Sequence, residues 1–184
     1  MRVVTQNLNL VTGFPVLNGA LEYNFKVKEV LEWKDWPEAD ISGSVANENN
    51  PGVTFFATDY ILKKPEYTRE NLKVWLGMIA YMASTNVSEK HEVGEVDGTP
   101  VVLDFSEAEL LFPGTFVLEG AFIDDYFITG KITEFKEIEE GYLVRIKNYP
   151  LGEVMVYAKK SAVEGEIEKG KPIKVVDWLQ GSIK

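Results

Sequence analysis

Alternating apolar and polar positions dominate the first part of the chain. In residues 21–28 every second side chain is apolar and the others are charged or polar. This period-two pattern is typical of a strand that buries one face. Residues 40–45 and 53–57 are predicted to be two more strands. The sequence Asn49-Asn50-Pro51-Gly52 between them favours a turn, because proline fixes φ and glycine tolerates a positive φ.

The second part of the chain continues the same pattern. Residues 126–135, 142–146 and 154–157 are predicted strands, with turns at Gly141 and in residues 150–152. Between the two parts, Asp97-Gly98 is a hairpin-turn pair flanked by apolar runs. We therefore expect a mainly β protein.

One segment, residues 68–84, is compatible with either a helix or a strand. Leu72, Leu76 and Ile79 are spaced for one apolar helical face, but Gly77 would cost a helix about 1 kcal/mol relative to alanine. As a strand, the segment would be apolar on both faces and would need a covered, central position. We favour the strand, because a similar segment in the second half of the chain, residues 175–183, contains Val175-Val176.

The two halves resemble each other in sequence, which suggests an incomplete internal duplication. Three pairs of segments match: residues 41–45 with 128–132, 53–57 with 154–158, and 73–79 with 175–183. The second half has about a dozen extra residues between its first two segments, enough for one more hairpin. We divide the chain into a β-rich part, 1–113, with an acidic connector at 85–113, and a second part, 114–184; the two parts could also pack as a single domain.

The second part resembles an OB-fold, a small curved barrel of about five strands. The resemblance rests on strand order: a long first strand interrupted at Gly130, two hairpin strands, a short connection at residues 161–165, and a closing strand that ends in Trp178 and Gly181. It implies one or two OB-like β-barrels. The basic, aromatic groove that such folds use for oligonucleotides is absent.

Charge narrows the choice of partner. The net charge is −10, and residues 1–113 carry −8 of it. A chain this acidic lacks the excess of lysine and arginine that neutralises phosphates or attracts an anionic membrane surface. Nucleic acid and membrane are therefore disfavoured as partners, and a protein, a peptide or a neutral glycan is expected instead.

Several chemistries lack the residues they need. The chain has no cysteine and one histidine, His91, which lies in a charged string. Thiol catalysis and histidine-rich or cysteine-ligated metal sites are therefore excluded, and we expect no metal and no cofactor. The first residues lack the apolar run of a signal peptide, so we expect a cytoplasmic protein. The scarcity of glutamine and cysteine leans towards a thermophile, whereas ten asparagines weaken that inference.

Carboxylates and aromatic rings remain as candidate site residues. The pair Asp124-Asp125, and Asp59 beside Tyr60, offer acid–base or cation-binding oxygens, while polar turns explain them equally well. Trp33 and Trp36 flank two charged residues and precede a proline, so at least one is expected near the surface, where it could stack on a sugar. Most such tryptophans close the end of a barrel core.

Two functions from different classes are compatible with these residues. The first is a non-enzymatic binding or interaction module, favoured by the curved β pattern and by the absence of a nucleophile–base pair. The alternative is a carboxylate-dependent enzyme for a small or sugar-like substrate, using two acids from different strands. A third, structural reading is self-association through an edge strand.

Overall fold

The protein is described here by a computed structural model, which covers residues 2–6, 9–87, 90–104, 108–116 and 119–184. Its strands are β1 Arg2–Gln6, β2 Asn9–Phe14, β3 Leu21–Glu32, β4 Ala39–Val45, β5 Gly52–Ala57, β6 Asn71–Ser84, β7 Lys90–Val96, β8 Thr99–Asp104, β9 Leu111–Pro113, β10 Asp125–Ile138, β11 Gly141–Asn148, β12 Gly152–Lys159, β13 Val163–Glu164 and β14 Pro172–Ile183. One short helix, α1, spans Tyr60–Lys63, and 3₁₀ turns occupy Glu66–Thr68, Gly114–Phe116 and Lys160–Ala162.

Two closed rings of strands form the body of the protein, and they share β6 and β14. In the first ring β3, β4 and β5 pair antiparallel in sequence, β5 pairs parallel with β14, and β6 closes the ring between β14 and β3. In the second ring β10, β11 and β12 take these places, β12 pairs parallel with β6, and β14 closes onto β10. The fold is therefore mainly β and OB-like, with five strands to a ring.

The rings repeat each other in detail. The ladder between β3 and β4 shifts register between Val27 and Glu29, and the ladder between β10 and β11 shifts between Ile132 and Glu134. Strands β5 and β12 are the third strands of their rings, and β6 closes the first ring onto β3 as β14 closes the second onto β10. Two of the three sequence matches, 53–57 with 154–158 and 73–79 with 175–183, therefore join equivalent strands. The third match is wrong: residues 41–45 lie in a second strand and residues 128–132 in a first strand.

The second ring differs from the predicted barrel in two respects. Residues 114–184 supply four of its strands, and the fifth strand is β6 of the first half. The division of the chain at residue 113 stays a prediction, because the two rings have strands in common. Strand β10 is also continuous through Gly130; its register shift comes later, between Ile132 and Glu134.

Residues 71–84 form strand β6 and not a helix, because β6 pairs with other strands along both of its edges. Strand β6 pairs with β3, β12, β13 and β14 along its length. A side chain at Gly77 would place its Cβ 2.5 Å from Leu17 and 3.2 Å from Ala20. The glycine that weakens a helix therefore lets the loop before β3 pack on the strand.

Buried apolar side chains from both rings form one continuous core. The largest fully buried members include Phe25 and Phe55 of the first ring, Ile128 and Ile146 of the second, and Leu179 of a shared strand. The hairpins β1–β2 and β7–β8 make separate two-stranded sheets. In the part of the chain that is described, no helix has the length and apolar character needed to cross a bilayer.

Candidate functional site

A groove of about 660 Å³ lies on the outer face of β3, β4 and β5, where the segment leading into β10 approaches it. Its polar lining consists of two lysines, five hydroxyl-bearing side chains and one amide, and its apolar lining of four side chains. These are Lys26, Lys28, Ser42, Ser44, Thr54, Thr115, Tyr126 and Asn50, with Val27, Val53, Pro113 and Ile123. We call this site the face groove.

Strand alternation explains why hydroxyls line the face groove. In β4, Ile41 and Val45 are buried in the core, so Ser42 and Ser44 point to the opposite face. Across the ladder Ser42 pairs with Thr54 of β5, which places the two hydroxyls side by side. Small outward side chains leave a concave surface between the strands.

The register shift in β3 brings a lysine to the face groove. Lys28 is the extra residue between Val27, which pairs with Gly43, and Glu29, which pairs with Ser42. Such a bulge redirects a side chain and increases the local twist. Lys28 is exposed and forms no ion pair with any residue that the structure describes, whereas Lys26 lies 3.1 Å from Glu70, with both side chains largely exposed.

Tyr126 closes one end of the face groove and caps the edge of β5. The backbone N–H of Thr54 donates to the Tyr126 hydroxyl at 2.7 Å. Burial raises the pKa of Tyr126 to about 12, so the phenol remains protonated near neutral pH. The hydroxyl therefore satisfies a strand N–H that has no neighbouring strand at this point.

Beside the face groove, two aspartates from distant parts of the chain form a buried carboxyl pair. Asp40 of β4 and Asp124, just before β10, lie close enough for each carboxyl to shift the pKa of the other, and they are 5% and 2% exposed. Each also accepts a hydrogen bond from an indole: Trp33 Nε1 donates to Asp40 at 2.7 Å and Trp178 Nε1 to Asp124 at 2.5 Å. The pair links the first ring to the segment that forms the groove wall at Ile123.

The carboxyl pair holds protons more tightly than ordinary aspartates do. Burial raises the pKa of Asp40 to about 6. Burial and the adjacent Asp40 carboxyl raise the pKa of Asp124 to about 7. Two carboxyl groups in contact share a proton because their negative charges repel each other. At neutral pH the pair is therefore partly protonated.

Two more buried acids lie next to this pair. Asp125 accepts from the Tyr81 hydroxyl at 2.9 Å and from the backbone N–H of Phe122 at 2.7 Å. Asp177 of β14 is completely buried, and neither of its carboxyl oxygens has a hydrogen-bond partner within the part of the chain that is described. Burial, with a smaller contribution from Asp125, raises the pKa of Asp177 well above its usual range. Burial thus shifts Asp177 towards its neutral, protonated form.

Aromatic rings cover this acidic cluster. Trp33 stacks on Phe122 with ring centroids 6.4 Å apart, and Phe56 packs between Trp33 and Trp178. Trp33 is 37% exposed and Phe122 is 64% exposed. Trp36 lies in the turn after β3, where its backbone N–H donates to the Trp33 carbonyl, and it is more exposed than Trp33.

The structure therefore groups some of the predicted site residues and separates others. Trp33, Asp124 and Asp125 belong to one cluster. Asp59 and Tyr60 make other contacts: buried Asp59 accepts from the Tyr67 hydroxyl and the Ile183 N–H and pairs with Lys63, and the Tyr60 hydroxyl donates to Glu32 at 2.7 Å. These contacts hold α1 against β14 and β3.

Sequence reasoning missed Asp40 and Asp177 as partners of this cluster, and Lys28 as a groove residue. Asp177 carries a usable signal, because it is an acid inside the apolar run Val175–Leu179. Asp40 and Lys28 lie at a strand start and in a regular alternation, and neither pattern marks a site. Among the described residues, no group of three or more histidine or acidic side chains is placed to hold a metal ion.

Comparison with known proteins does not supply a function. No protein-family model and no curated protein matches the sequence. Among solved structures, the chain is similar to that of the cytoplasmic molybdate-binding protein ModG with molybdate bound. The TM-score is 0.46 and the identity 9%, over 92% of this chain and 100% of the other. At this level of similarity we infer neither a fold family nor a ligand from ModG.

Proposed function

We propose that this protein is a binding module whose ligand site is the face groove, and that its ligand is a short chain that carries a carboxylate. The observation that carries the proposal is the groove itself, a cavity of about 660 Å³ on the outer face of three strands. A concave surface with a few convergent polar groups is the usual form of a ligand site. The strands that line it occupy the positions that OB-folds use for oligonucleotides and oligosaccharides.

The lining of the groove supports an anionic, hydroxyl-rich or amide-rich ligand. Lys28 supplies a cation with no acidic partner in the described chain, and Ser42, Ser44 and Thr54 can donate to or accept from a ligand. Acidic oligosaccharides and acidic peptides share this chemistry. A nucleic acid fits less well, because the net charge is −10 and the only aromatic side chain among the described groove residues is the buried Tyr126.

The proposal is tested by titrating the protein with oligogalacturonate, an acidic hexapeptide, maltohexaose and single-stranded DNA, followed by calorimetry at low and high salt. We expect salt-sensitive binding of the oligogalacturonate or the peptide. Thr54→Trp fills the groove and should weaken binding at least about tenfold, about 1.4 kcal/mol. Met155→Trp, at the equivalent position of the second ring, is the matched control and should bind normally.

A charge reversal gives a second test. Lys28→Glu should weaken binding more at low salt than at high salt, because the lost attraction is electrostatic. Lys136→Glu changes the net charge equally on an exposed position of β10 and should have little effect. Normal binding by both Thr54→Trp and Lys28→Glu, or binding of DNA alone, would refute the proposal.

The carboxylate-enzyme alternative receives less support. The acids Asp40 and Asp124 do come together from distant parts of the chain, although Asp124 precedes strand β10. However, both are buried, and neither lines the face groove. A cytoplasmic location and self-association stay predictions.

A further inference from the structure

A second cavity, of about 410 Å³, lies away from the face groove, where the loop of residues 15–20 passes over the shared strands β6 and β14. It has no lining residue in common with the face groove. Its main side chains are Leu17, Asn18, Thr58, Trp75, Gln180 and Ser182. None of its described lining residues carries a charge, which sets it apart from the lysine-lined groove. We call it the loop cavity.

Gln180 lines the loop cavity and has an unused hydrogen-bond acceptor. Its side chain is buried, with 3% exposure, and its Nε2 donates to the Pro15 carbonyl at 2.9 Å. That bond requires the nitrogen to face Pro15, so the amide orientation is fixed. The Oε1 atom has no hydrogen-bond partner anywhere in the part of the chain that is described. A buried acceptor of this kind is rare and is normally satisfied by a partner, a water or a ligand.

The walls of the loop cavity are held in place by packing. Leu17 lies against Gly77, where any side chain would meet it at 2.5 Å. Trp75 of β6 pairs across the ladder with Ser182 of β14 and is 37% exposed. The cavity therefore combines a hydroxyl and an amide oxygen with an indole ring. This combination suits a molecule that has an apolar face and donor groups around its edge.

We infer that the loop cavity is a binding site for a neutral, hydroxyl-rich ligand of the pyranose class. One ligand hydroxyl donates to Gln180 Oε1, and the apolar face of the sugar ring packs on Trp75. No lining residue carries a charge, and Lys184, whose Nζ lies 5.5 Å from the Trp75 ring centroid, is paired with Glu22, so a neutral ligand is favoured. This inference does not depend on the face groove, so either site can be occupied without the other.

The experiment is an NMR titration of the uniformly ¹⁵N-labelled protein with D-glucose, D-mannose, N-acetylglucosamine and maltose in separate series. We expect at least one of these sugars to produce saturable shifts of the Gln180 side-chain amide and the Trp75 indole N–H. Gln180→Met keeps the volume and removes the acceptor, and should raise the dissociation constant at least about tenfold. Asn18→Trp, at an exposed position of the loop, should block binding without altering the core.

Two outcomes separate this inference from the proposed function. Thr54→Trp should leave the sugar-induced shifts at Gln180 and Trp75 intact, since it alters only the face groove. The inference is overturned if none of the four sugars gives saturable shifts at these two residues, or if Gln180→Met and Asn18→Trp both bind as the wild type does. If Gln180→Met does not fold, as judged by circular dichroism, the Asn18→Trp titration alone decides.

Discussion

The two rings share strand order, register shifts and two strands, yet only the first has an open outer face. Ser42 pairs with Glu29 and Thr54, and in the second ring Arg145 pairs with Glu134 and Met155 at the same place in the ladder. Ser44 likewise corresponds to Lys147. The cavity on this face is about 660 Å³ in the first ring and about 170 Å³ in the second.

Side-chain size contributes to the difference, together with the segment leading into β10, which walls the face groove but does not line the cavity of the second ring. The Arg145 guanidinium lies 3.4 Å from Glu134 and 3.9 Å from Glu153, and it spans the strands that serines leave uncovered in the first ring. Met155 contributes a long apolar side chain where the first ring has Thr54. Each ring therefore has a curved outer face that is suited to a ligand. The residues on and beside each face decide whether it stays open.

The largest expected effect concerns what the rings share. Leu179→Ala, at a fully buried position of β14, should lower the free energy of unfolding by about 3 kcal/mol, because it leaves a cavity in the common core. Both rings should then unfold in one transition when followed by circular dichroism and by hydrogen exchange. Separate transitions for the two rings would contradict the single core.

The second prediction uses the carboxyl pair, which only the first ring has: Leu143 occupies the position equivalent to Asp40. The pKa values of Asp40 and Asp124, about 6 and about 7, lie above the unfolded value of about 3.9. The folded state therefore binds protons more tightly, and the free energy of unfolding should fall as pH rises from about 4 to about 7.

Asp40→Asn should reduce this fall by about 1–2 kcal/mol, since it removes one of the two repelling charges. The measurement is urea denaturation at several pH values between about 4 and about 8. Asp35→Asn makes the same charge change at an exposed turn and should leave the pH dependence unaltered. An identical pH dependence in Asp40→Asn and the wild type would show that the pair does not titrate in this range.

A third prediction exchanges the two faces. Ser42→Arg, Ser44→Lys and Thr54→Met together should close the face groove and weaken ligand binding at least about tenfold, equivalent to about 1.4 kcal/mol. The reverse triple variant, Arg145→Ser, Lys147→Ser and Met155→Thr, should open a groove on the second ring. Crystal structures of both variants would show whether the cavities change as expected. An unchanged cavity in either variant would refute the role assigned to side-chain size.

The smallest expected effect lies in the ion pairs of the filled face. Glu153→Gln should lower the free energy of unfolding by about 0.5 kcal/mol or less, because the Arg145–Glu153 contact is partly exposed and screened. Urea denaturation at low and high salt measures it. A loss larger than that of Leu179→Ala would mean that these charges, and not packing, hold the second ring together.

Local patterns were enough to predict most strands, since the alternation in residues 21–28 and the turn residues Asn49-Asn50-Pro51-Gly52 act over short distances. The choice of strand for residues 68–84 was confirmed for residues 71–84. The sharing of β6 and β14 could not be predicted, because it depends on pairings between halves, such as Met78 with Val156. Sequence comparison also matched residues 41–45 to the wrong strand, since short β segments resemble one another.

The candidate site was harder to predict from the sequence, because it also depends on contacts between distant parts of the chain. Asp124 was noticed from its neighbour Asp125, but its contact with Asp40 joins strands that are far apart in the chain. Ser42 and Ser44 carry no signal of their own. They line an open groove because they are small. Arg145 and Lys147, at the equivalent positions of the second ring, are larger and fill the same face.

The exchange of strands also bears on how the protein is made. The first ring needs β14. While only β3 to β6 have emerged from the ribosome, the edge of β5 that pairs with β14 has no partner strand. Nascent chains on neighbouring ribosomes could then donate β14 to each other. Translation speed and chaperone access before Pro172–Ile183 emerges would therefore govern the yield of correctly closed monomers.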